Sequence, residues 1–315
     1  MSVPVLFITF NRPIETLRVL KKIKQYAPKK IYISSDGPRK DKFKEDTKVY
    51  NLRNNFKKLI DWDCQVYYLF NDSNFGCKHA VSAAIKWFFE NEEMGIILED
   101  DCLPSIDFFK FCEITLERYM DDEKIFHIGG TNFGKPSNNN LLHFSKYPLI
   151  WGWASWRRAW NYYDVDMLDY PLKRKSNFLK VIFSKNEIEY WISNLDKAYN
   201  NEIDTWDYQW FYTIWNNQAL TILPDINLIK NIGFNPNATH TTESNKLFNN
   251  MKSGSLNFKV PIPTDIKIND KLDEEISYEG FNIGKSKVKR FIERICYERF
   301  NIGKWIIRRF VKKFS

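Results

Sequence analysis

The chain has 315 residues, 43% of them hydrophobic, enough for one large α/β domain or two small ones, and this excludes a disordered protein. Its net charge of +8 sits at one end: residues 281–315 carry eleven Lys and Arg against two Glu, a net of +9, which leaves the other 280 residues at −1. A nearly neutral body has no basic groove, which excludes nucleic acid as a partner, and five cysteines (Cys64, Cys77, Cys102, Cys112, Cys296) without a Cys-x-x-Cys pair exclude a disulfide framework or zinc cluster and point to a reducing cytoplasm.

Residues 3–10 form a short continuous apolar run, the pattern of a buried parallel strand. The run has no basic leader and stops at Asn11-Arg12-Pro13, so it does not read as a signal peptide. Pro13 suits the first turn of a helix, and Leu17, Leu20 and Ile23 then share one side. Residues 31–35 form a second strand, closed by Asp36-Gly37-Pro38. A polar-faced helix follows over 42–60, a third strand over 65–70, a helix over 78–91 and a fourth strand over 95–99. This alternation predicts an α/β fold: a Rossmann-like, mostly parallel sheet flanked by helices. Such sheets bind ligands outside the carboxyl ends of their strands. Asn11-Arg12, Asp36-Gly37 and Glu99-Asp100-Asp101 all fall at those ends.

Ser105 is the expected cap of a helix to about residue 120, and residues 125–128 form a strand broken by Gly129-Gly130. A stretch with Trp151, Trp153, Trp156 and Trp160 follows a polar loop. Ser184-x-x-Glu187 is a capping box opening a helix to about residue 200. A further helix opens at Thr205-Trp206-Asp207, and residues 220–223 form a late strand. Residues 241–273, rich in Asn, Ser, Pro and Lys, read as loops and a linker. In the tail, Phe281-Asn282-Ile283-Gly284-Lys285 recurs as Phe300-Asn301-Ile302-Gly303-Lys304, each before a basic amphipathic helix, which predicts a helical C-terminal appendage.

Glu99, Asp100 and Asp101 directly follow an apolar strand. Like charges this close repel unless a cation lies among them. Oxygen ligands suit Mg²⁺ or Mn²⁺, and such an ion can clamp a diphosphate as it leaves. The bland alternative is an acidic turn. Lys78 and His79 begin a helix where a phosphate contact is one reading. His79, His127, His143 and His240 show no metal-ligand spacing. There is neither Gly-x-Gly-x-x-Gly after the first strand nor a P-loop, which argues against a dehydrogenase or an ATPase.

The chain resembles the N-acetylglucosaminyltransferase I family and its bacterial relatives, which have the GT-A fold. The resemblance runs from about residue 3 to 240. It begins with Val-Pro-Val-Leu-Phe-Ile-Thr-Phe-Asn-Arg and passes through Ser34-Ser35-Asp36, Glu99-Asp100-Asp101, Phe108-Phe109 and Gly152-Trp153. It continues at Trp206-Asp207, Pro224, Gly233-Phe234 and Thr239-His240. It implies that Asp101 binds the metal with Asp100 near the donor ribose, and that Glu99, Asp36, Asn11 and Arg12 surround the nucleotide. It further implies that Asp207 is the catalytic base, that Trp206 and Trp153 lie beside the acceptor sugar, and that His240 belongs to a loop over the donor. Inverting transfer needs a base for the acceptor proton, and a carboxylate is ionised at neutral pH. The alternative for Asp207 is a plain helix N-terminal acid. Residues 39–58 match nothing in the family.

These readings give a catalytic domain over 1–265, with a donor half to about 130 and an acceptor half beyond it, and a linker with basic helices over 266–315. The expected activity is transfer of a sugar from a nucleotide-sugar, UDP-linked in the first instance, to a glycan acceptor in bacterial surface polysaccharide synthesis. The rivals are a sugar nucleotidyltransferase, which would want a Gly-rich phosphate loop after the first strand, and a non-enzymatic carbohydrate-binding or membrane-active protein, which would leave the carboxylates unexplained. The tail sets Ile306, Ile307, Phe310, Val311 and Phe314 against Arg308, Arg309, Lys312 and Lys313. That pattern predicts peripheral contact with the anionic inner face of the cytoplasmic membrane; the alternative is packing on the domain.

Overall fold

The computed structural model describes residues 2–233 and 251–284. Its centre is an eight-stranded sheet. β1 (Val5–Thr9) lies between β2 (Lys30–Ser35) and β4 (Met94–Glu99), with β3 (Gln65–Phe70) at the edge, and all four are parallel. Beyond β4 come β8 (Trp153–Trp156), β6 (Ile125–Gly129), β9 (Leu220–Pro224) and β7 (Leu142–Ser145). β8 and β7 run against their neighbours and β6 runs with β9, so six of the eight strands share one direction. The mostly parallel α/β sheet expected from the sequence is therefore the one observed.

The central strands β1 and β4 are largely apolar because both of their faces are covered, whereas the edge strand β3 leaves Gln65 and Tyr67 exposed. In β1, Val5 and Phe7 enter one core and Leu6 enters the other, as the two-residue period of a strand requires. The first core is closed by α1 (Pro13–Tyr26), α2 (Glu45–Leu59) and α4 (Ile106–Arg118), through Val19 and Ile23, Leu52 and Phe56, and Phe108, Phe109 and Phe111. The second is closed by α3 (Gly76–Asn91) and, further along, by α5 (Arg157–Trp160), α6 (Tyr170–Lys175), α7 (Lys185–Tyr199) and α8 (Asp207–Asn216). The sequence signals at helix starts act as expected in two cases. Pro13 stands at the first position of α1. The Ser184–Glu187 capping box closes α7, with Ser184 N to Glu187 Oε2 at 2.9 Å.

Strands β5 (Cys102–Pro104) and β10 (Ile229–Asn231) pair antiparallel as a small second sheet just after β4. Elements of three or four residues such as these, β7 and α5 carry too few repeats to show a period in sequence.

Residues 251–269 are irregular, as their composition predicts, but they lie against the body. Leu256 is buried, Ile262 and Ile266 pack on the first core, and Leu141 N donates to Pro261 O at 3.0 Å. Asn269 caps α9 (Asp270–Glu275), and a π-helical turn follows over Ile276–Gly280. Buried Asp273 accepts from Ser145 Oγ at 2.5 Å, and Leu272 and Ile276 enter the second core. The stretch 266–284, expected as linker, is thus fastened to the domain. Phe234, Thr239, His240 and the basic helices expected beyond residue 284 lie outside the described residues. Among the described residues no helix is long and apolar enough to cross a membrane.

Candidate functional site

Strand order fixes the place of the site. The chain winds from β1 outward to β2 and β3, then returns to the other side of β1 as β4. At this reversal the connections leave in opposite directions, and in sheets of this kind that is where a ligand crevice opens, here at the carboxyl ends of β1 and β4. The residues that follow those two strands meet there. Phe10 N donates to Asp100 Oδ2 at 3.0 Å. Arg12 Nη1 reaches Asp100 Oδ1 at 3.2 Å and Asp101 Oδ2 at 2.6 Å.

Three acids in a small, poorly hydrated space are electrostatically costly. Burial, then the charges of Asp101, Asp100 and Asp207, raise the Glu99 carboxyl well above the usual carboxylate range. Burial and Asp101 likewise raise Asp100, against the pull of Arg12. Burial alone would lower Arg12, but Asp100 and Asp101 outweigh it and hold its proton more tightly. Arg12 therefore supplies part of the positive charge that the carboxylate run demands. The backbone after β10 passes directly over the cluster, with Ile232 N bonded to Asp101 O at 2.8 Å. A Cβ at Gly233 would overlap Asp101 Oδ2, so glycine is what allows that close approach.

Asn11 and Asp36 organise the rim of the crevice. Asn11 Nδ2 donates to Glu45 Oε1 at 2.6 Å, and Glu45 also accepts from Arg39 N, Nε and Nη2. Asp36 accepts from Asn71 Nδ2 (3.1 Å), Asn74 Nδ2 (2.9 Å) and the backbone of Phe75 and Gly76. Behind it, buried Arg53 donates from Nη2 to the carbonyls of Ser35, Asp36 and Asn71 at 2.8 to 2.9 Å. Glu45 and Arg53 were not legible in sequence, because on a strongly charged helix they look like its solvated face.

Lys78 is buried, and protein partners take up its polar groups. Its Nζ donates to Asn201 Oδ1 at 2.8 Å and lies 3.9 Å from Asp166; its backbone N donates to Asp204 Oδ1 at 2.8 Å. The phosphate contact expected of Lys78 would require it to leave these partners. His79 is exposed.

Asp207 opens α8. Its Oδ1 accepts from Tyr208 N at 2.8 Å and from Thr205 Oγ1. Its charge raises Glu99, as noted, and also contributes to raising the Cys77 thiol, after burial and Glu99 and together with Asp204 and Asp36. Acids from three separate segments, Asp36, Glu99 and the stretch holding Asp204 and Asp207, thus lie within electrostatic reach of Cys77 at the start of α3. Beside Asp207 lies a cavity of about 160 Å³, lined by Thr131, Phe133, Ile150, Trp151, Tyr208 and Phe281 among others. That is below the several hundred Å³ of drug-sized pockets, and leaves room for about one sugar-sized ring.

Neither tryptophan expected at the acceptor lines this cavity. Trp153 and Trp206 are 1% and 2% exposed and stack on each other with ring centres 5.6 Å apart. Trp153 also stacks on His127 at 5.0 Å. Burial pushes His127 down to about 3, so it is neutral and fills the core, accepting from Trp210 Nε1 and bonding Leu149 O. In this conformation both tryptophans are core residues, and their faces are spent on other rings. The cavity ring from that stretch is the half-buried Trp151. Gly152, at φ +61°, turns the chain between Trp151 and Trp153, and a Cβ there would stand 2.5 Å from Ile229 Cδ1. Gly152-Trp153 drew attention in sequence, but the glycine's effect is to separate one ring from the other.

Among the described residues, no group of three or more His, Cys, Asp or Glu side chains is arranged to hold a metal ion. No protein-family description matches the sequence, and no curated protein does. Solved structures similar to the chain include HddC from Yersinia pseudotuberculosis, at 9% identity over 50% of this chain and 77% of that chain, with a TM-score of 0.33. They also include the glycosyltransferase GlyE of Streptococcus pneumoniae TIGR4 (11% identity, 70% of this chain, TM-score 0.35), of which the match takes in only 45%. An apo UDP-glucose pyrophosphorylase is similar at 10% identity over 71% of this chain and 90% of that chain, with a TM-score of 0.36. These likenesses are too distant to carry a function across to the chain.

Proposed function

We propose that this chain is a metal-dependent, inverting glycosyltransferase of the GT-A type, moving a sugar from a nucleotide-sugar, in the first instance a UDP-sugar, to a glycan hydroxyl. One observation carries the reading: acids at the sheet's switch point lie within electrostatic reach of Asp207, and Asp207 borders a ring-sized aromatic cavity. A donor in the crevice and an acceptor in the cavity would then meet between them.

The donor set fits a hard divalent cation. It is all carboxylate oxygen; burial first and then the neighbouring acids raise Glu99 and Asp100 despite Arg12, so an added cation would be favoured there, in exchange for the Arg12 contacts to Asp100 and Asp101. Magnesium-type sites use one or two protein carboxylates plus substrate phosphates and water, so a cluster of three protein ligands is not required. Asp101, with Asp100 beside it, would hold the ion, which when bound neutralises charge developing on the departing diphosphate. Arg12 keeps Asp100 and Asp101 in place, and Asn11 and Asp36 hold the loops of the nucleotide rim. Asp207 takes the proton of the acceptor hydroxyl, which contributes typically ~10²–10⁴ in rate. The faces of Trp151, Phe133 and Phe281 suit the apolar side of a sugar ring and exclude water from the base.

A sugar nucleotidyltransferase is the second reading. The turn from β1 to α1, Phe10-Asn11-Arg12, lacks the glycines that would wrap a triphosphate, which favours the transferase. Incubating the protein and Mn²⁺ with a panel of nucleotide-sugars separates the two: release of free nucleoside diphosphate and a product of inverted anomeric configuration supports the transferase. Pyrophosphate-dependent exchange of nucleoside triphosphate, or a retained configuration, overturns it. A merely carbohydrate-binding protein would turn over nothing.

Surface polysaccharide synthesis at the inner leaflet is part of the same proposal, on the strength of the net +9 over residues 281–315. Because Ile276 and Ile283 are buried, the chain that tests it ends after Gly284. That chain should stay folded and lose salt-sensitive binding to anionic vesicles. Equal vesicle binding by both lengths would refute the membrane role.

A further inference from the structure

We infer that Asp204 is a positioning residue: it locks the segment carrying Asp207 onto the first turn of α3, and so sets where the base stands relative to the donor half. This role presupposes that Asp207 is the base. The first N–H groups of a helix have no partner within it. At α3, four consecutive ones are divided between two carboxylates from distant parts of the chain. Asp36, at the end of β2, takes Phe75 N and Gly76 N at 3.0 and 3.1 Å. Asp204, three residues before Asp207, takes Cys77 N and Lys78 N, both at 2.8 Å. The positive end of the helix favours both anions.

Two further features belong to the same joint. Lys78 Nζ donates to Asn201 Oδ1 at 2.8 Å, a second tie between α3 and the segment that leads to Asp207. Gly76 sits at φ +79°, and a Cβ there would stand 2.7 Å from Asp204 Oδ2. The helix start is therefore shaped to admit the Asp204 carboxylate, which spans 126 to 127 residues of sequence to reach it. Asp36 holds the same turn to the nucleotide rim, so α3 relays the position of the donor half to the base. A displacement of about 1 Å between reacting groups can cost ~10²-fold in rate.

Amide hydrogen exchange and kinetics test this together. In Asp204→Ala the Cys77 and Lys78 amides should exchange at least tenfold faster than in wild type; unchanged exchange would overturn the clamp without any turnover being measured. With UDP-N-acetylglucosamine and Mn²⁺ as probe, release of UDP by Asp204→Ala should fall tenfold or more in kcat, with donor KM within threefold of wild type. Asp204→Asn, which keeps one acceptor oxygen, should fall between. Gly76→Ala is strained at φ +79° in either background, but should lower kcat less in the Asp204→Ala background than in wild type, because the contact with Asp204 is already lost. A wild-type kcat for Asp204→Ala while Asp207→Asn is inactive overturns the positioning role alone. Full activity in Asp207→Asn removes the base assignment and the positioning role with it.

Discussion

The two sides of the crevice are built on opposite terms. On the side proposed for the donor the sheet gathers charge: Arg12, Glu99, Asp100 and Asp101 crowd the ends of β1 and β4, and burial leaves two of the acids reluctant to ionise. On the side proposed for the acceptor the chain gathers rings, with Trp153, Trp160, Trp206 and Trp210 packed on one another and Trp153 and Trp210 also against His127. The carboxylate cluster keeps its repulsion, which on the proposed function a cation and a diphosphate would relieve, whereas the rings are already packed against one another. Ligand binding should therefore reorganise the first and merely dock on the second.

The largest effect should fall on Asp207, where the two sides meet. Asp207→Asn should lower kcat at least ~10²-fold with donor affinity nearly unchanged, since the proton transfer it supports belongs to the transition state. Steady-state kinetics with the donor varied checks this, and a variant within a few-fold of wild type would detach the base from this side of the crevice.

Two tryptophans sharpen the contrast within the acceptor side. Trp206→Ala empties a fully packed site and should cost about 3–5 kcal/mol of stability, read as a drop in the urea midpoint. Trp151→Ala, at the half-buried cavity wall, should cost far less and instead raise the acceptor KM. Equal losses of stability would mean that Trp151 is as much a core ring as Trp206.

A smaller effect concerns the joint that carries the C-terminal segment. Burial alone would raise the Asp225 carboxyl, but bonds from His143 Nε2, Ser137 N and Oγ, and Asn138 N outweigh it and hold it below its ordinary value. A depressed acid contributes stability that is complete above its unfolded pKa and is lost as pH falls through the folded one. Asp225→Ala should cost about 3 kcal/mol at neutral pH by leaving buried donors unpaired. The gap to wild type should narrow as the pH falls below the ordinary aspartate range. Melts between pH 7 and 2 check it; a gap that stays constant down to pH 2 would show that the carboxylate charge does not matter there.

The same contrast explains what could be read from the sequence. The donor side was legible because it is made of strand ends. A continuous apolar run predicts a parallel strand, and the residue after it must lie at the sheet's edge, so Arg12 and Asp100–Asp101 were placed by topology alone. The aromatic cavity beside Asp207 was not legible. Its walls come from residues 131–133, 149–151, 207–211 and 280–281, and no spacing within any one segment announces their convergence. Within the Trp-rich stretch, composition could not tell Trp151 from Trp153; a single positive φ at Gly152 decides it. Nor could sequence show that Lys78 is paired, since Asn201 and Asp204 reach it across the fold.

The central claim is that the strand-end acids bind a nucleoside diphosphate through a divalent cation, and titration calorimetry with UDP tests it most directly. Wild-type protein should bind UDP with Mn²⁺ present and at least tenfold more weakly in EDTA, and Asp101→Asn, still folded by its melting curve, should lose the Mn²⁺ dependence. UDP binding of equal strength with and without metal, or an Asp101→Asn variant that binds like wild type in Mn²⁺, would contradict it.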